Sequence, residues 1–127
     1  MVIYLKLNHD CVRDMLLYLE NNLYDKSLKI RSIASDFEKE YTLDEIVYTF
    51  QKLQEAGFIK TGTDYTCTKH SHITSITWNG HNFLDNIRDT KVLSLAKKAL
   101  KDFKSVSIEA LAGVCSDVII NCAKNNI

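Results

Sequence analysis

Thr42-Leu43-Asp44-Glu45-Ile46-Val47-Tyr48-Thr49-Phe50-Gln51-Lys52-Leu53-Gln54-Glu55-Ala56-Gly57-Phe58-Ile59-Lys60-Thr61 is the stretch that decides the fold. Thr42 and Glu45 have the spacing of a capping box, in which each side chain satisfies a backbone N–H that the first helical turn leaves unpaired. Leu43, Ile46, Val47, Phe50 and Leu53 then recur at helical spacing and predict a buried stripe. Gly57 supplies a left-handed residue that stops the helix. Phe58–Thr61 reads as a strand, Gly62-Thr63-Asp64 as a turn, and His72–Thr77 as the return strand.

Upstream, Ser32 predicts the cap of a short helix from Ile33 to about Lys39, with Ile33 and Phe37 inward and Tyr41 closing the connection. A short helix, a tight connection and a longer capped helix make a helix-turn-helix, and a hairpin directly after it makes a wing. Residues 25–31 read as a loop or short extended piece. Asn8 caps a first helix, with Asp10 in its first turn, and Val12, Leu16, Leu19 and Leu23 share one face to about Tyr24.

Downstream, Thr77 predicts the cap of a helix from Trp78 to about Arg88. Thr90 caps another, in which Val92, Ala96, Ala99, Leu100 and Phe103 pack. Ser107 caps the last, whose broad apolar side holds Ile108, Leu111, Ala112, Cys115, Val118, Ile119 and Cys122. The expected architecture is mainly α with a small β-hairpin, an α+β class. It is a single domain over 1–127, with a winged helix-turn-helix core at 8–77 and C-terminal helices at 78–127 packing on it.

Composition narrows the classes. The chain has 127 residues, 46% apolar and 25% charged, enough for a core without staples. Sixteen basic residues balance sixteen acidic ones, so attraction to nucleic acid or an anionic membrane must come from a local patch. Cys11, Cys67, Cys115 and Cys122 form no CxxC pair. Cys115 and Cys122 stand about 10 Å apart along one helix, too far for a disulfide. Buried thiols in a reducing cytoplasm are the expectation. Met1–Leu7 is too short for a signal peptide, and no apolar run suits a membrane span.

The block Ile76-Thr77-Trp78-Asn79-Gly80-His81-Asn82-Phe83-Leu84-Asp85-Asn86-Ile87-Arg88-Asp89 resembles the T-W-x-G-H-x-F-L-D-x-I-R-D signature of the family filed as domain of unknown function number 2513. Leu7–Asp14 through Leu19-Glu20 resembles that family's opening helix. Leu43–Tyr48 and Glu55–Ile59 resemble its middle. The likeness covers about residues 5–120. It departs in the polar, Cys/His-containing wing and at Val92-Leu93-Ser94-Leu95, where an aromatic is expected. The resemblance implies a winged-helix fold in small proteins of Gram-positive bacteria and their phages. It brings no catalytic residues.

Candidate surfaces follow from the helix geometry. The outward side of the 43–56 helix holds Tyr41, Glu45, Tyr48, Lys52 and Glu55, with Thr49 and Asp44 at its margins. Its carboxylates oppose phosphates, and only Gln51 and Gln54 offer base-reading amides, so this side suits a protein partner better than a DNA groove. The nucleic-acid candidates are Lys60 and Lys69 in the wing, and Arg88, Lys91, Lys97, Lys98, Lys101 and Lys104 on a basic helix at 91–104. Lys97, Lys101 and Lys104 are expected on one side of it. A solvated helix face is the plain alternative. Ile108, Leu111, Val114, Val118 and Ile119 are the candidates for a homodimer interface on the last helix, which carries apolar residues beyond one stripe.

Cys67, His70, His72 and His81 invite zinc, but their spacing matches no established finger, and no metal or cofactor is expected. Asp85 and Asp89 with Arg88 fit a helix C-terminus as well as a carboxylate pair, and Cys11 with His81 gives a nucleophile–base pair no support. Trp78 and His81 are expected to fix the joint between the wing and the next helix. The sequence thus predicts a non-catalytic cytoplasmic binding or regulatory protein, and the family resemblance implies that it is of phage or mobile-element type. It would act on a host or phage protein, such as a defence protein, or on DNA. The alternative is a sequence-tolerant nucleic-acid-binding transcriptional regulator using the 91–104 helix and the wing.

Overall fold

The computed structural model describes residues 6–23, 26–63 and 65–125. The expected helix end at Tyr24, the turn residue Asp64 and the start at Met1–Leu5 lie outside them. The chain divides into two compact units, residues 1–81 and 82–127, with the boundary inside a helix. The described residues form six helices and one three-stranded antiparallel sheet, a mainly helical α+β architecture.

The first unit begins with α1 (His9–Asn22). The Asn8 side-chain oxygen accepts from the backbone N–H groups of Asp10 and Cys11 at 3.0 and 3.2 Å, as its sequence position predicts. Strand β1 (Leu28–Lys29) follows, then α2 (Ile30–Asp36) and α3 (Leu43–Glu55). Strands β2 (Ile59–Thr61) and β3 (His72–Ile76) make the expected hairpin, and β1 adds to its other edge in the order β1-β3-β2. The register pairs Lys29 with His72, Ile59 with Ile76 and Lys60 with Ser75, and shifts between Lys60 and Thr61.

The core of this unit is built by α1 (Cys11, Val12, Met15, Leu16, Leu19), α2 (Ile30, Ile33), α3 (Ile46, Phe50, Leu53) and the sheet (Ile59, Ile73). Each fully buried aliphatic side chain contributes about 1.5–3 kcal/mol relative to exposure. Thr42 Oγ1 accepts from the Glu45 N–H at 3.1 Å, so the predicted cap of α3 forms. The other end closes as a Schellman motif. Gly57 adopts φ +78, its N–H reaches the Gln54 carbonyl at 3.1 Å, and the Phe58 N–H reaches that of Leu53 at 2.9 Å.

The structure departs from the sequence expectation at Ser32, Phe37, Leu43, Val47 and Thr49. Helix α2 starts at Ile30 rather than Ile33, so Ser32 lies inside it and caps nothing. Its cap residue, Lys29, offers no side-chain bond. Instead the Ile30 and Arg31 N–H groups reach the Ser71 and Lys69 carbonyls at 2.9 and 3.2 Å. Phe37 is half-buried at the C-cap, and Leu43 and Val47 are half-buried rather than core. Thr49, placed at the margin of the outward side, is buried instead. Its hydroxyl donates to the Glu45 carbonyl at 2.8 Å and sits 3.3 Å from Cys11 Sγ.

Helix α4 (Trp78–Ile87) crosses the unit boundary. Thr77 Oγ1 accepts from the Gly80 N–H at 3.1 Å and donates to the Gly57 carbonyl at 2.5 Å, tying the predicted cap to the end of α3.

The second unit contains α5 (Thr90–Ala99) and α6 (Ile108–Asn125), which pack on each other. Its buried residues include Phe83, Leu84, Ile87, Leu93, Ala96, Leu111, Ala112 and Cys115. The cap of α5 is Asp89, whose carboxylate accepts from the Val92 N–H at 2.9 Å, and Thr90 is the first helical residue. The buried side of α5 is therefore Leu93 and Ala96. Against expectation Ala99, the last residue of α5, is exposed, and so is Phe103, because the helix ends before it. Ser107 caps α6 as predicted, accepting from the Ala110 N–H at 3.1 Å.

Candidate functional site

The outward side of α3 is set by its cap and by its neighbours. Glu45 accepts from the Asn8 side-chain amide at 3.4 Å, and its carboxylate remains half-exposed at the surface. Tyr41 donates its hydroxyl to Asp14 at 2.6 Å and places its ring 6.1 Å from that of Phe37. Burial first, then the bond to Asp14 and the surrounding negative charge, push the Tyr41 phenol well above its usual range. Lys52 Nζ lies 5.5 Å over the Tyr48 ring and 2.9 Å from Glu55. The Glu55 carboxylate holds its ammonium charged. Tyr18 on α1 sets its ring 5.5 Å from that of Phe37 and donates to Asp36, which raises its phenol to about 12.

Both glutamines of α3 are occupied. Gln54 Nε2 donates to the Tyr65 carbonyl at 2.9 Å and to Thr61 Oγ1 at 3.2 Å, while its Oε1 accepts from the Cys67 N–H at 3.0 Å. Gln51 Nε2 donates to the Cys67 carbonyl at 2.9 Å. These amides pin the loop between β2 and β3, so they are not offered to a base edge.

A shallow cleft of about 230 Å³ opens beside Tyr41, bordered by Arg31, Ala34, Ser35, Glu38, Thr42 and Leu43. Small-molecule sites usually span roughly 300–1,000 Å³. This cleft is the size of a single side chain.

Two proposed chemistries meet occupied or distant groups. The Cys11 thiol is buried and pushed up to about 11, by burial first and then by Glu45 and Asp14, against a lowering bond from Thr49. That is the reverse of an activated nucleophile, whose thiol is lowered. His81 is exposed. Asp85 pairs with Arg88 at 2.8 Å, and Asp89 caps α5. The Cys67 thiol is buried and raised by that burial, while His70 and His72 are exposed. Among the described residues no three His, Cys, Asp or Glu side chains come together as metal ligands would. No helix among them is long and apolar enough to cross a membrane.

The basic candidates separate. Lys60 and Lys69 are exposed on the sheet and its loop. Lys91, Lys97 and Lys98 are exposed on α5, but Lys101 and Lys104 lie beyond its end at Ala99, so the expected common side with Lys97 does not exist. Lys29 and Arg31, which no local sequence signal marks, join the basic candidates. Pairing of β1 with β3 sets Lys29 opposite His72, and the Arg31 N–H bonds the Lys69 carbonyl. On α6, Leu111 is buried within the chain and is no free surface. Ile108, Val114 and Val118 are half-buried, and Ile119 is exposed.

The sequence matches the family described as "Hypothetical protein (DUF2513)" over residues 6–107. The chain belongs to this family. It is also similar to an uncharacterized protein of Haemophilus influenzae strain Rd, 29% identical over 118 residues that cover 91% of this chain and 96% of the relative. No solved structure matches.

Within the DUF2513-like block Thr77–Asp89, most side chains have structural duties. Thr77 caps α4 and Asp89 caps α5; Phe83, Leu84 and Ile87 are buried; Asp85 and Arg88 pair. Gly80 lets α4 approach β3 and the Phe58 backbone just before β2, since a Cβ there would stand 2.2 Å from the Phe58 carbonyl oxygen and 2.7 Å from Ile76 Cγ2. Trp78 and His81 do not fix the joint, as the sequence reading expected. Trp78 is 80% exposed and His81 is exposed, one turn apart on the same side of α4.

Proposed function

We propose that this DUF2513 member is a non-catalytic binding protein whose residues 8–77 form a winged helix-turn-helix, and that the outward side of α3 docks a partner protein. The observation that carries the reading is the state of α3 itself. The helix that would enter a DNA groove presents Asp44, Glu45 and Glu55, and both of its base-reading amides are bound to the chain's own loop. Phosphates supply most nucleic-acid affinity and would be repelled there.

The same surface suits a protein. Tyrosine, with few rotamers to lose, makes a favourable anchor, and the rings of Tyr41 and Tyr48 are contacted by Asp14 and Lys52. The cleft beside Tyr41 accepts one partner side chain. Three buried free thiols, Cys11, Cys67 and Cys115, favour a reducing cytoplasm as the place of work. The partner is then a host or phage protein, the setting the family resemblance implies. A second copy of the chain is proposed to pack along the exposed end of α6.

The test is affinity capture from host lysate with the wild type and with Tyr48→Ala plus Lys52→Glu. A protein retained by the first and lost, by at least tenfold in yield, with the second supports the reading. Capture of the same protein at equal yield by both overturns it.

A further inference from the structure

Charge in the first unit is sorted by element. Between Lys26 and Ser35 there is no acidic residue, and between Ala56 and His81 only Asp64, which lies outside the described residues. These are the segments that build the sheet and its flanks. Antiparallel partners share a face of the sheet, so Lys29 lies beside His72 and Lys60 beside Ser75. Arg31 and Lys69 are drawn together by the backbone bond between them. Lys29, Arg31, Lys60 and Lys69 carry no ion pair among the described residues, unlike Lys52 and Arg88. Among the described residues, four cations of the sheet and its flanks thus stand without an ion pair in a chain of zero net charge.

Two exposed aromatic residues lie close to β3 along the chain. Tyr65, 82% exposed, sits in the loop that leads into β3, and Trp78, 80% exposed, stands two residues beyond its end. Burying either ring would be favourable, and neither is buried. A strand of five residues spans about 16 Å, the length of a few nucleotides. Cations that track a backbone, with flat rings beside them, are the recurring equipment of sites for unpaired strands.

We propose that the β-sheet of the first unit binds single-stranded nucleic acid, with Lys29, Arg31, Lys60 and Lys69 on its phosphates and Trp78 stacked on a base. Arg31 also borders the cleft beside Tyr41, but Lys29, Lys60, Lys69 and Trp78 are not among the α3 residues offered to a protein partner, so variants at Lys60 and Lys69 test this proposal apart from that reading. A duplex hides its base faces and would leave Trp78 without a role.

Trp78 is the single tryptophan of the chain, so its emission reports contact directly. The experiment titrates the full chain with a mixed-sequence 20-nucleotide single strand and with the matching duplex. Quenching of Trp78 by the single strand is expected. Affinity should fall roughly 50-fold between 50 and 200 mM salt, the slope for about four phosphate contacts on a single strand. Lys60→Glu plus Lys69→Glu, both at exposed positions, should weaken binding at least about tenfold, with Lys60→Gln plus Lys69→Gln in between. Trp78→Ala should cost about fivefold or more. Tyr48→Ala on α3 and Lys97→Glu plus Lys98→Glu on α5 should change nothing. Absence of binding at 50 mM salt overturns the proposal. So does duplex binding of equal strength with Trp78 emission unchanged, insensitivity to the Lys60 and Lys69 changes, or retention on anionic vesicles alone.

Discussion

At the scale of single residues, two glycines in helices show how position reverses the effect of one methyl group. Alanine is a better helix former than glycine by about 1 kcal/mol. At Gly113 in α6 an added Cβ would meet nothing within 4 Å, so the propensity gain is realised. At Gly80 the same carbon would stand 2.2 Å from the Phe58 carbonyl oxygen and 2.7 Å from Ile76 Cγ2. The first of these neighbours is backbone and cannot rotate away. It also belongs to the connection that Thr77 ties down, since the Thr77 N–H reaches the same Phe58 oxygen at 2.9 Å. Gly80→Ala is therefore expected to destabilise by about 3 kcal/mol, whereas Gly113→Ala stabilises by up to about 1 kcal/mol. Denaturant unfolding of the two variants checks both signs. Equal midpoints would show that the approach of α4 to the Phe58 backbone is looser than these distances require.

At the scale of elements, what was legible in the sequence is what is decided locally. The caps of α1, α3, α4 and α6 depend on side chains within three residues, and Asn8, Thr42, Thr77 and Ser107 announced them. The start of α2 depended on distant carbonyls of Lys69 and Ser71, so the local signal at Ser32 lost to a tertiary one. Strand β1 is two residues long and is a strand only because β3 lies beside it. For the same reason the cations of the sheet could not be grouped from the sequence, while the acidic outward side of α3 could. Thr49 escaped because helical angle alone does not reveal that a hydroxyl can return its proton to the preceding turn. The grip of α3 on the β2–β3 loop is equally invisible in the sequence, which shows Gln51 and Gln54 only as available amides. That grip yields a prediction. In Gln54→Ala the Cys67 N–H loses its acceptor and the Tyr65 carbonyl its donor. One net hydrogen bond of about 1.4 kcal/mol corresponds to tenfold in an opening equilibrium. Amide exchange at Cys67 should accelerate about tenfold while exchange within α1 stays as it was. Unchanged protection at Cys67 would mean that Gln51 alone holds the loop.

At the scale of the whole molecule, α6 carries the unfinished part of the fold. Leu111, Ala112 and Cys115 are buried, and the stripe they begin continues at helical spacing through Ile119 and Cys122. Yet residues 119–125 are exposed throughout, with Ile119 and Ile120 at 37% and 47%. A stripe that outruns its cover is apolar surface in want of a second layer. An identical stripe on a second copy is self-complementary, since a two-fold contact sets the same residues against each other and asks for no matched charge. The only charged side chain in 118–125 is Lys124, near the end of α6, so the two copies would not repel across Ile119 and Cys122. Light scattering during size exclusion should therefore show a dimer that dissociates on dilution. Ile119→Asp plus Ile120→Asp should make it monomeric at every concentration without loss of helical circular dichroism, because both positions lie outside the core. A wild-type chain that stays monomeric at high concentration would assign the overhang to a different partner and remove Ile108, Val114, Val118 and Ile119 as a self-association surface.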